Sequence, residues 1–494
     1  MKKLKSILSL ITAAVMIFTI AACRKKDKDE WIYSEEWQEI TDNSSVDSED
    51  TITSSSGKTG DKKFTNSTEN QGLINSEKLT PQEEYFSKAK LKGTTLTVVV
   101  GSDEDVNKYP QTKYAFDKLK NKWGINVKTV VYSNSQLPNM VATLVASGNP
   151  PDVAHAASTN LMRYVYSNLA VSIDKHIVKE DPVWENGDAF TGCVFNGKTY
   201  AISWSGLIDS TYFVWYNKTY LKEKGVEDPY ELYKAGQWTV EKFKSVAQAC
   251  KTYAANGKDV AVNGVGTWDY SVFLAMNGAT GISETSNNKW QVTIDTPNAM
   301  KGLQLISDLA KDGTYVASGA GFKDRKLAMH IERAPNAIKQ YDLYNTMNDE
   351  IGMVPLPMAS DGKYYAYTVS DASFFLKNGK NPIGAVAYRY YDRLFLRHAS
   401  IEEQKAAGYD PLEKVAFSDE HRKIAEDFVN NKCAKILDDK IYALSNWYSG
   451  DNLSKAFWSS IIVDGKQPAQ VVDSAKSQIS KCLKETVGVG NVAS

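Results

Sequence analysis

The segment Thr95-Leu96-Thr97-Val98-Val99-Val100 is a short run of β-branched and apolar residues, the pattern of a buried strand. Helical and strand patterns then alternate along the chain: helix 114–119, strand 125–131, helix 140–145 and strand 152–154. This β-α-β-α-β order predicts a parallel sheet with helices on its faces. Because ligands bind at the carboxyl ends of strands in such sheets, the turns after Val100 and Ala154 are the first places to look for a site.

Upstream of this segment the composition changes. Residues 24–80 are rich in Ser, Thr, Asp, Glu, Asn and Lys. Such a segment cannot bury enough apolar surface to offset the entropy lost on ordering it. We therefore predict that residues 23–90 form a flexible tether and that the globular part begins at residue 91. About 55 unstructured residues would have a root-mean-square span of roughly 40 Å.

The first residues of the chain have the pattern of an export signal. A basic stretch, Met1–Lys5, precedes the apolar residues 7–22, which are too few for a membrane span but suit a signal-peptide core. They end in Ile20-Ala21-Ala22-Cys23, which resembles the lipobox of bacterial lipoproteins. The resemblance implies removal of residues 1–22 and lipidation of Cys23. Each buried methylene adds roughly 0.8 kcal/mol, so several acyl chains would hold the protein on the membrane. The alternative is an ordinary signal peptide with a chance cysteine.

Length, charge and hydropathy exclude several classes of protein. The chain has 494 residues, a formal net charge of -1, 42 % hydrophobic residues and 24 % charged residues, as expected for a soluble globular protein. The near-neutral balance gives no electrostatic basis for a nucleic-acid partner. No apolar run after residue 22 is long enough to span a bilayer, which argues against an integral transporter.

The cysteines and acidic turns do not predict a metal or cofactor. The cysteines other than Cys23 are widely spaced and form no CxxC pair: Cys193, Cys250, Cys433 and Cys482. Zinc is therefore not expected, and we predict buried free thiols, although export permits disulfides and the sequence does not pair them. The turn 103–107 starts like a calcium loop, but Lys108 and Tyr114 replace its glycine and its closing glutamate.

A series of short motifs runs in order through the rest of the chain. The first reads Ala146-Ser147-Gly148-Asn149-Pro150-Pro151-Asp152-Val153, and Thr239 in a later one is a predicted helix N-cap. The others are residues 196–202, 215–218, 225–229, 237–243, 327–329, 351–357, 381–387 and 465–470. Together they resemble the signatures of extracellular solute-binding proteins of carbohydrate-type ABC importers, the family that includes the maltose-binding protein group.

The resemblance implies a fold and a domain organisation. We expect an α/β, two-lobed periplasmic-binding-protein-like fold of type II, each lobe a mostly parallel sheet flanked by helices. Lobe one would comprise residues 91–204 plus 368–410. Lobe two would comprise residues 205–367 plus 411–494, including the C-terminal helices. A hinge would join the lobes, with the ligand held between them.

The resemblance also implies a function. The protein would be a lipid-anchored, extracellular substrate-binding protein that captures a sugar or oligosaccharide between closing lobes. It would deliver this solute to the membrane subunits of an ABC permease, as a monomer, without a cofactor and without catalysis. The alternative classes are an exported carbohydrate-active hydrolase and a surface sensor or adhesin with the same fold. The chain contains no GxSxG, HExxH or P-loop motif, but paired glycosidase carboxylates leave no sequence signature.

Aromatic candidates for the site follow from the chemistry of sugars. A sugar ring presents apolar faces and a belt of hydroxyl groups, so its site needs flat aromatic platforms and a few placed polar groups. Trp268 is the first candidate, because related proteins often place an aromatic on that loop. Trp204 follows the strand leading to lobe two, Tyr212 lies where the chain enters it, and Trp447 lies between late helices. Packing in the core is the alternative for Trp268 and Trp204.

Polar candidates lie at predicted strand ends and near the crossings between the lobes. A carboxylate accepts two sugar hydroxyls well. The alternatives are a solvated turn for the acidic residues, a surface ion pair for the arginine and a helix cap near the second crossing. The candidates are Asp103, Asp105, Ser158, Asp209, Arg333 and Asp371.

Overall fold

The computed structural model of the protein describes most of the chain after residue 77. The described residues are 78–101, 110–132, 137–190, 192–204, 208, 210–285, 287, 289–333, 348–407, 419–444, 447 and 453–493. The predicted signal peptide, the lipidation of Cys23 and the tether up to residue 77 lie outside this range.

Strands and helices alternate through the described residues. The strands are β1 Thr95–Gly101, β2 Asn126–Tyr132, β3 Val153–Ala157, β4 Val194–Phe195, β5 Lys198–Thr199, β6 Ala201–Ser203, β7 Tyr212–Asn217, β8 Thr252–Tyr253, β9 Val260–Gly266, β10 Ile282–Glu284, β11 Trp290–Val292, β12 Tyr315–Val316, β13 Leu327–Arg333, β14 Ile351–Pro355, β15 Tyr364–Tyr367, β16 Asp371–Phe375 and β17 Cys433–Leu437. The helices are α1 Pro81–Ser87, α2 Pro110–Trp123, α3 Leu137–Ala146, α4 Leu161–Tyr166, α5 Lys218–Glu223, α6 Pro229–Lys234, α7 Val240–Cys250, α8 Ser271–Ala275, α9 Pro297–Lys311, α10 Pro382–His398, α11 Ile401–Ala406, α12 Asp419–Asp427, α13 Leu453–Ile462 and α14 Pro468–Val487. The predicted β-α-β-α-β start is confirmed as β1 to β3.

The first sheet has the strand order β2-β1-β3-β16-β6. Strands β2 and β3 pair parallel to β1, whereas β16 pairs antiparallel to both β3 and β6. Only β16 therefore runs against the other strands, so the sheet is mostly parallel, as predicted. This sheet is the centre of lobe one.

Strand β1 is buried on both faces, which explains its continuous apolar sequence. Leu96, Val98 and Val100 pack into one cluster with side chains of α2 and α10. Val99 points to the other face and packs with Val141 of α3. Helices thus cover both sides of the sheet.

The second sheet has the order β12-β9-β13-β7-β14. Outside this order, the short strand β8 pairs antiparallel with the start of β9. Strands β12 and β13 run parallel to β9, and β7 runs antiparallel to β13 and β14. Gly264 lets helix α7 approach β9 closely, since a Cβ there would lie 1.9 Å from the carbonyl oxygen of Ala247. Thr239 caps α7 by accepting a hydrogen bond from the Lys242 N–H at 3.2 Å, which confirms the predicted N-cap.

The C-terminal helices pack largely on lobe two. Helix α13 contacts α9, and α14 contacts both α9 and β11. The N–H of Ala493 donates to the carbonyl oxygen of Trp290 at 2.8 Å, so the end of the chain is also held at β11. Helix α14 additionally contacts α4, which leads out of the first sheet.

Helix α1 corrects the predicted extent of the tether. Thr80 and Glu83 form a capping box, Pro81 occupies the first turn, and Phe86 is fully buried. Residues 80–90 therefore belong to the folded body, and the prediction that the tether continues to residue 90 is wrong. The sequence Thr80-Pro81-Gln82-Glu83 is itself a helix-start signal, but the polar residues around it are typical of a tether.

Gln82 fastens α1 to lobe one with three hydrogen bonds. Its buried amide donates to the His176 carbonyl oxygen at 3.0 Å and accepts from the Val178 N–H at 2.8 Å and the Trp184 indole N–H at 3.0 Å. We expect Gln82→Ala to lower the free energy of unfolding by about 2 kcal/mol, because buried partners lose their hydrogen bonds. Urea denaturation measures this, with Glu84→Ala on the exposed side of α1 as the matched control. Equal stability of the two variants would contradict the docking of α1.

The described cysteines are all free, and three of them are buried. Burial raises the pKa of the Cys193 and Cys250 thiols to about 12, so neither is a reactive thiolate. Cys482 is buried in α14. The prediction of buried free thiols is confirmed for these three, whereas Cys433 on β17 is half-buried. Within the described residues, no helix has the length and apolar character needed to cross a bilayer.

Candidate functional site

The two crossings of the chain between the lobes pair with each other, since Thr211 and Thr368 form an isolated antiparallel bridge. The carboxyl ends of β3 and β6 lie at one edge of the first sheet, and those of β9 and β13 lie at one edge of the second. The chain passes from β6 to β7 and returns from β15 to β16 at these edges. Ligand-binding side chains in open α/β sheets lie at such edges, so the cleft between them is the candidate site.

Arg333 and Asp371 join the two edges. Arg333 ends β13 in lobe two, and its Nη1 donates to the Val369 carbonyl oxygen at 2.7 Å and to Asp371 Oδ2 at 3.2 Å. Asp371 begins β16 in lobe one. Burial opposes the charge on Arg333, but the attraction of Asp371 and Glu332 raises the guanidinium pKa above its ordinary value. Arg333 therefore stays charged, and its contact with Asp371 bridges the lobes.

Trp204 directly follows β6 of lobe one. Its half-buried ring meets His155 edge to face, with centroids 4.3 Å apart, and its indole N–H donates to Ser373 Oγ at 2.9 Å. The guanidinium carbon of Arg389 lies 5.4 Å from the Trp204 ring centroid. These contacts hold the ring rigidly, while its backbone N–H donates to the Asp371 carbonyl oxygen at 2.8 Å. Trp204 thus lies beside the hinge.

Ser158 is buried beneath the hinge. Its N–H donates to the Ser370 carbonyl oxygen at 2.6 Å, and its Oγ accepts from the Ser370 N–H at 3.1 Å. Ser370 Oγ in turn hydrogen bonds to Ser203 Oγ. These bonds fasten the return crossing to the ends of β3 and β6. In this conformation Ser158 therefore stabilises the hinge.

The lobe-two wall is built around Asp269, the residue after Trp268. Asp269 Oδ1 accepts from the Tyr442 hydroxyl at 2.6 Å and from the Ser271 N–H at 3.1 Å, and Oδ2 accepts from the Tyr367 hydroxyl at 3.0 Å. Burial raises the pKa of Asp269, and these bonds together with one from Tyr212 act in the opposite direction. Trp268 itself is half-buried on the loop after β9.

A second carboxyl group, Asp439, lies next to this network. Its Oδ2 accepts from Ser271 Oγ at 2.9 Å and from the Gly281 N–H at 3.0 Å. Burial, reinforced by the charge of Asp269, raises the pKa of Asp439 to about 6. Ser271 therefore links the two carboxyl groups, through its N–H to Asp269 and its hydroxyl to Asp439.

The segment 438–443 lies between the lobes. Lys440 pairs with Asp438, and its Nζ donates to the Ser158 carbonyl oxygen of lobe one at 3.3 Å. On its other side Asp439 and Tyr442 contact Ser271 of lobe two. This segment is thus a third connection across the hinge.

The structure brings most of the described candidates together. Trp204, Asp371 and Arg333 form one chain of contacts, and Tyr212 pairs with Arg333 in the β7–β13 register. Trp447 differs: it is fully buried and packs 6.3 Å from Phe457 between ring centroids, so this conformation exposes none of its ring. Contact of these residues with a ligand stays a prediction. Asp103, Asp105 and Asp209 lie outside the described residues.

Several residues of the cleft edge have no sequence signal of their own. Asp269 directly follows the predicted residue Trp268, so its position on this loop is the one sequence signal that points to it. Asp439, Tyr442 and Tyr367 are distant in the chain and meet Asp269 only through folding. Among the described residues no group of three or more His, Cys, Asp or Glu side chains could hold a metal ion. The site therefore offers aromatic surface, hydroxyl groups and carboxylates, the groups that bind polar, ring-shaped solutes.

Comparisons with known proteins agree with this fold. The sequence model for bacterial extracellular solute-binding proteins matches residues 114–391, more than half of the chain. No curated protein sequence matches the chain.

Solved structures share the fold at low sequence identity. An ABC substrate-binding protein from Listeria monocytogenes in complex with cycloalternan has a TM-score of 0.58 and 15 % identity, over 78 % of this chain and 98 % of that one. A Thermotoga lettingae ABC transporter solute-binding protein bound to α-D-tagatose has a TM-score of 0.56 and 16 % identity, over 79 % and 100 %. The cyclic α-maltosyl-1,6-maltose-binding protein of Arthrobacter globiformis has a TM-score of 0.56 and 15 % identity, over 79 % and 99 %. These similarities establish the type II, two-lobed binding-protein fold, and the family match establishes that the chain belongs to the bacterial extracellular solute-binding proteins.

Proposed function

We propose that the protein captures a sugar or oligosaccharide between its two lobes, as the substrate-binding subunit of an ABC importer. The proposal rests on the half-buried rings of Trp204 and Trp268, which follow β6 of lobe one and β9 of lobe two and lie near hydrogen-bonding groups. A sugar stacked on one ring and hydrogen bonded across the cleft contacts both lobes only when they close. Sugars bound in the structurally similar proteins support this class of solute.

The remaining elements of the proposal come from the sequence. Lipidation of Cys23 would hold the protein on the extracellular face of the membrane, and the tether would let a monomeric domain reach the permease. The protein would act by binding alone. The lobe limits proposed are 91–204 with 368–410 and 205–367 with 411–494, with α1 added to lobe one by its contacts.

A thermal-shift screen against mono-, di- and oligosaccharides tests the solute class. A solute that binds only the folded state raises its stability by RT ln(1 + [L]/Kd), which is about 2.7 kcal/mol at one hundred times Kd. We expect at least one neutral sugar to raise the melting temperature. Release of shorter products during incubation would instead identify a hydrolase and overturn the proposal.

Trp268→Ala tests the stacking platform. We expect roughly tenfold weaker binding of the sugar that the screen identifies, because a stacked aromatic contributes about 0.5–1.5 kcal/mol beyond its buried area. Isothermal titration calorimetry measures the affinity, and the melting temperature without ligand verifies that the domain remains folded. Tyr253→Ala is the matched control, since Tyr253 is an exposed aromatic near the opposite end of β9. Unchanged affinity in Trp268→Ala would remove Trp268 from the site.

A further inference from the structure

Three chain segments connect or lie between the lobes, and each carries a tyrosine where it meets lobe two. The first crossing leads from β6 to β7 and ends at Tyr212, the first residue of β7. The second crossing, residues 368–370, starts after Tyr367, the last residue of β15. The third segment, 438–443, contains Tyr442.

The hydroxyl groups of these three tyrosines converge on one carboxylate. Tyr442 and Tyr367 donate to the two oxygens of Asp269 at 2.6 and 3.0 Å, and Tyr212 also hydrogen bonds to this carboxylate. The rings of Tyr212 and Tyr367 lie 5.0 Å apart between centroids, so the hydroxyls approach Asp269 as neighbours. Hydrogen bonds to a charged acceptor in a partly buried site are stronger than those between neutral groups.

The same segments are also joined to one another. The Val369 N–H donates to the Ser210 carbonyl oxygen at 3.0 Å, which links the second crossing to the first. The Thr368 N–H donates to the Leu437 carbonyl oxygen at 2.9 Å, which links the second crossing to the strand before the third segment. Backbone bonds therefore connect neighbouring segments, and the Asp269 carboxylate contacts a tyrosine of each of the three.

We propose that Asp269 is a positioning residue that fastens the lobe-two ends of all three connecting segments, so that they bend as one unit when the lobes move. On the lobe-one side Ser158 holds the second and third segments through Ser370 and Lys440. Bending of the second and third segments is then confined to the few residues between these two anchor points. Because Asp269 directly follows Trp268, a solute that shifts this loop acts on all three segments together. We call the hydrogen bonds from Tyr212, Tyr367 and Tyr442 to Asp269 the clamp. The clamp involves only groups within the chain and does not depend on which solute binds.

A purely local role for Asp269 is the alternative. Its N–H donates to Thr267 Oγ1 at 3.2 Å and its Oδ1 accepts from the Ser271 N–H, bonds that would shape the loop without reaching the hinge. The two roles differ in how a change in one segment affects the others. A clamp transmits the loss of one tyrosine hydroxyl to the remaining segments, and a loop-shaping residue does not.

Hydrogen exchange of the ligand-free, full chain distinguishes the two roles. Tyr442→Phe removes a hydroxyl from the third segment, 438–443. We expect about tenfold faster amide exchange in that segment and also at Thr368 and Val369 of the second crossing. Tyr367→Phe is expected to accelerate exchange in 438–443 in the same way, and Asp269→Asn to accelerate it in all three segments. The matched control is Tyr220→Phe, which removes a buried hydroxyl that donates to the Cys250 carbonyl oxygen at 3.0 Å away from the hinge.

Three outcomes of the exchange experiment would overturn the proposal. Acceleration confined to the altered segment, or equal acceleration in Tyr220→Phe, would overturn the clamp. Faster exchange in the central strand β13 as well would also overturn it, because it would show general loss of stability. No solute is used, so the result is independent of whether the protein binds a sugar.

Discussion

Asp152→Ala is expected to lower the free energy of unfolding of lobe one by about 3–5 kcal/mol, because it leaves buried N–H groups without an acceptor. Asp152 immediately precedes β3 and is only 4 % exposed. Its Oδ2 accepts from the Thr97 N–H of β1 at 2.7 Å, and its Oδ1 accepts from the Asn381 N–H at 2.6 Å. One carboxylate thus ties two strands to the start of α10.

The protonation behaviour of Asp152 is consistent with this role. Burial raises its pKa, and the hydrogen bonds from Thr97 and Asn381 act in the opposite direction. Asn381 in turn caps α10 by accepting from the Gly384 N–H at 2.9 Å. Loss of the Asp152 carboxylate therefore disturbs both the strand pairing and the helix start.

Chemical denaturation followed by circular dichroism measures the effect. Asp117→Ala is the matched control, since Asp117 lies exposed on α2, and it is expected to change stability by less than about 0.5 kcal/mol. Asp152→Asn is expected to fall between the two, because its amide has one acceptor oxygen and an NH₂ group facing the second N–H. A loss below about 1 kcal/mol in Asp152→Ala would show that the backbone alone holds these elements.

His330→Leu is expected to make the protein markedly more acid-resistant. His330 lies in the middle of β13, fully buried, between Trp215 on one neighbouring strand and Gly266 on the other. Burial lowers its pKa to about 3, against about 6.5 in an unfolded chain. Between these values the unfolded state binds one more proton, so acid favours unfolding by about 1.4 kcal/mol per pH unit.

The sign of this effect is opposite to that of Asp439. The folded-state pKa of Asp439 is raised to about 6, so the folded protein binds the extra proton below that pH, and acidification from 6 towards 4 stabilises it. The two groups partly cancel in the unaltered protein. Comparing it with His330→Leu at the same pH isolates the histidine.

Urea titrations from pH 8 to pH 4 test the expectation. At pH 8 the histidine is neutral in both states, so the difference between the two proteins there measures packing alone. Relative to that value, His330→Leu is expected to gain about 3 kcal/mol by pH 4. A difference independent of pH would mean that His330 accepts a proton in the folded state as easily as in the unfolded one.

Sequence reasoning identified the strands and caps whose signals are local. The buried run beginning at Thr95 and the N-cap at Thr239 depend on neighbouring residues only, and both are confirmed. The polar composition of the preceding residues predicts that helix α1 belongs to the tether, although its capping box is an equally local signal of a helix. Burial of Phe86 by α2 and α10, which no local pattern reveals, decides that this helix is folded.

For the candidate site, the sequence predicts individual residues but not the contacts between them. Trp268 is a predicted site residue because of its place on a loop, whereas its neighbour Asp269 accepts hydrogen bonds from tyrosines 98 and 173 residues away. The sequence predicts both Trp447 and Trp204 as site residues. Trp447 is fully buried by helix packing, whereas Trp204 is half-buried at the hinge. Exposure of an aromatic depends on what packs over it, which local sequence does not encode.

The sequence by itself determined the class of fold and the family, since β1 to β3 and the ordered motifs depend on hydrophobic period, turns and caps within short windows. The tertiary structure alone decided where the folded body begins, which buried groups titrate abnormally and how the lobes are joined. The difference is physical. Strand and helix signals arise between residues a few positions apart, whereas burial, pKa values and the convergence on Asp269 arise between segments that meet only after the chain has folded.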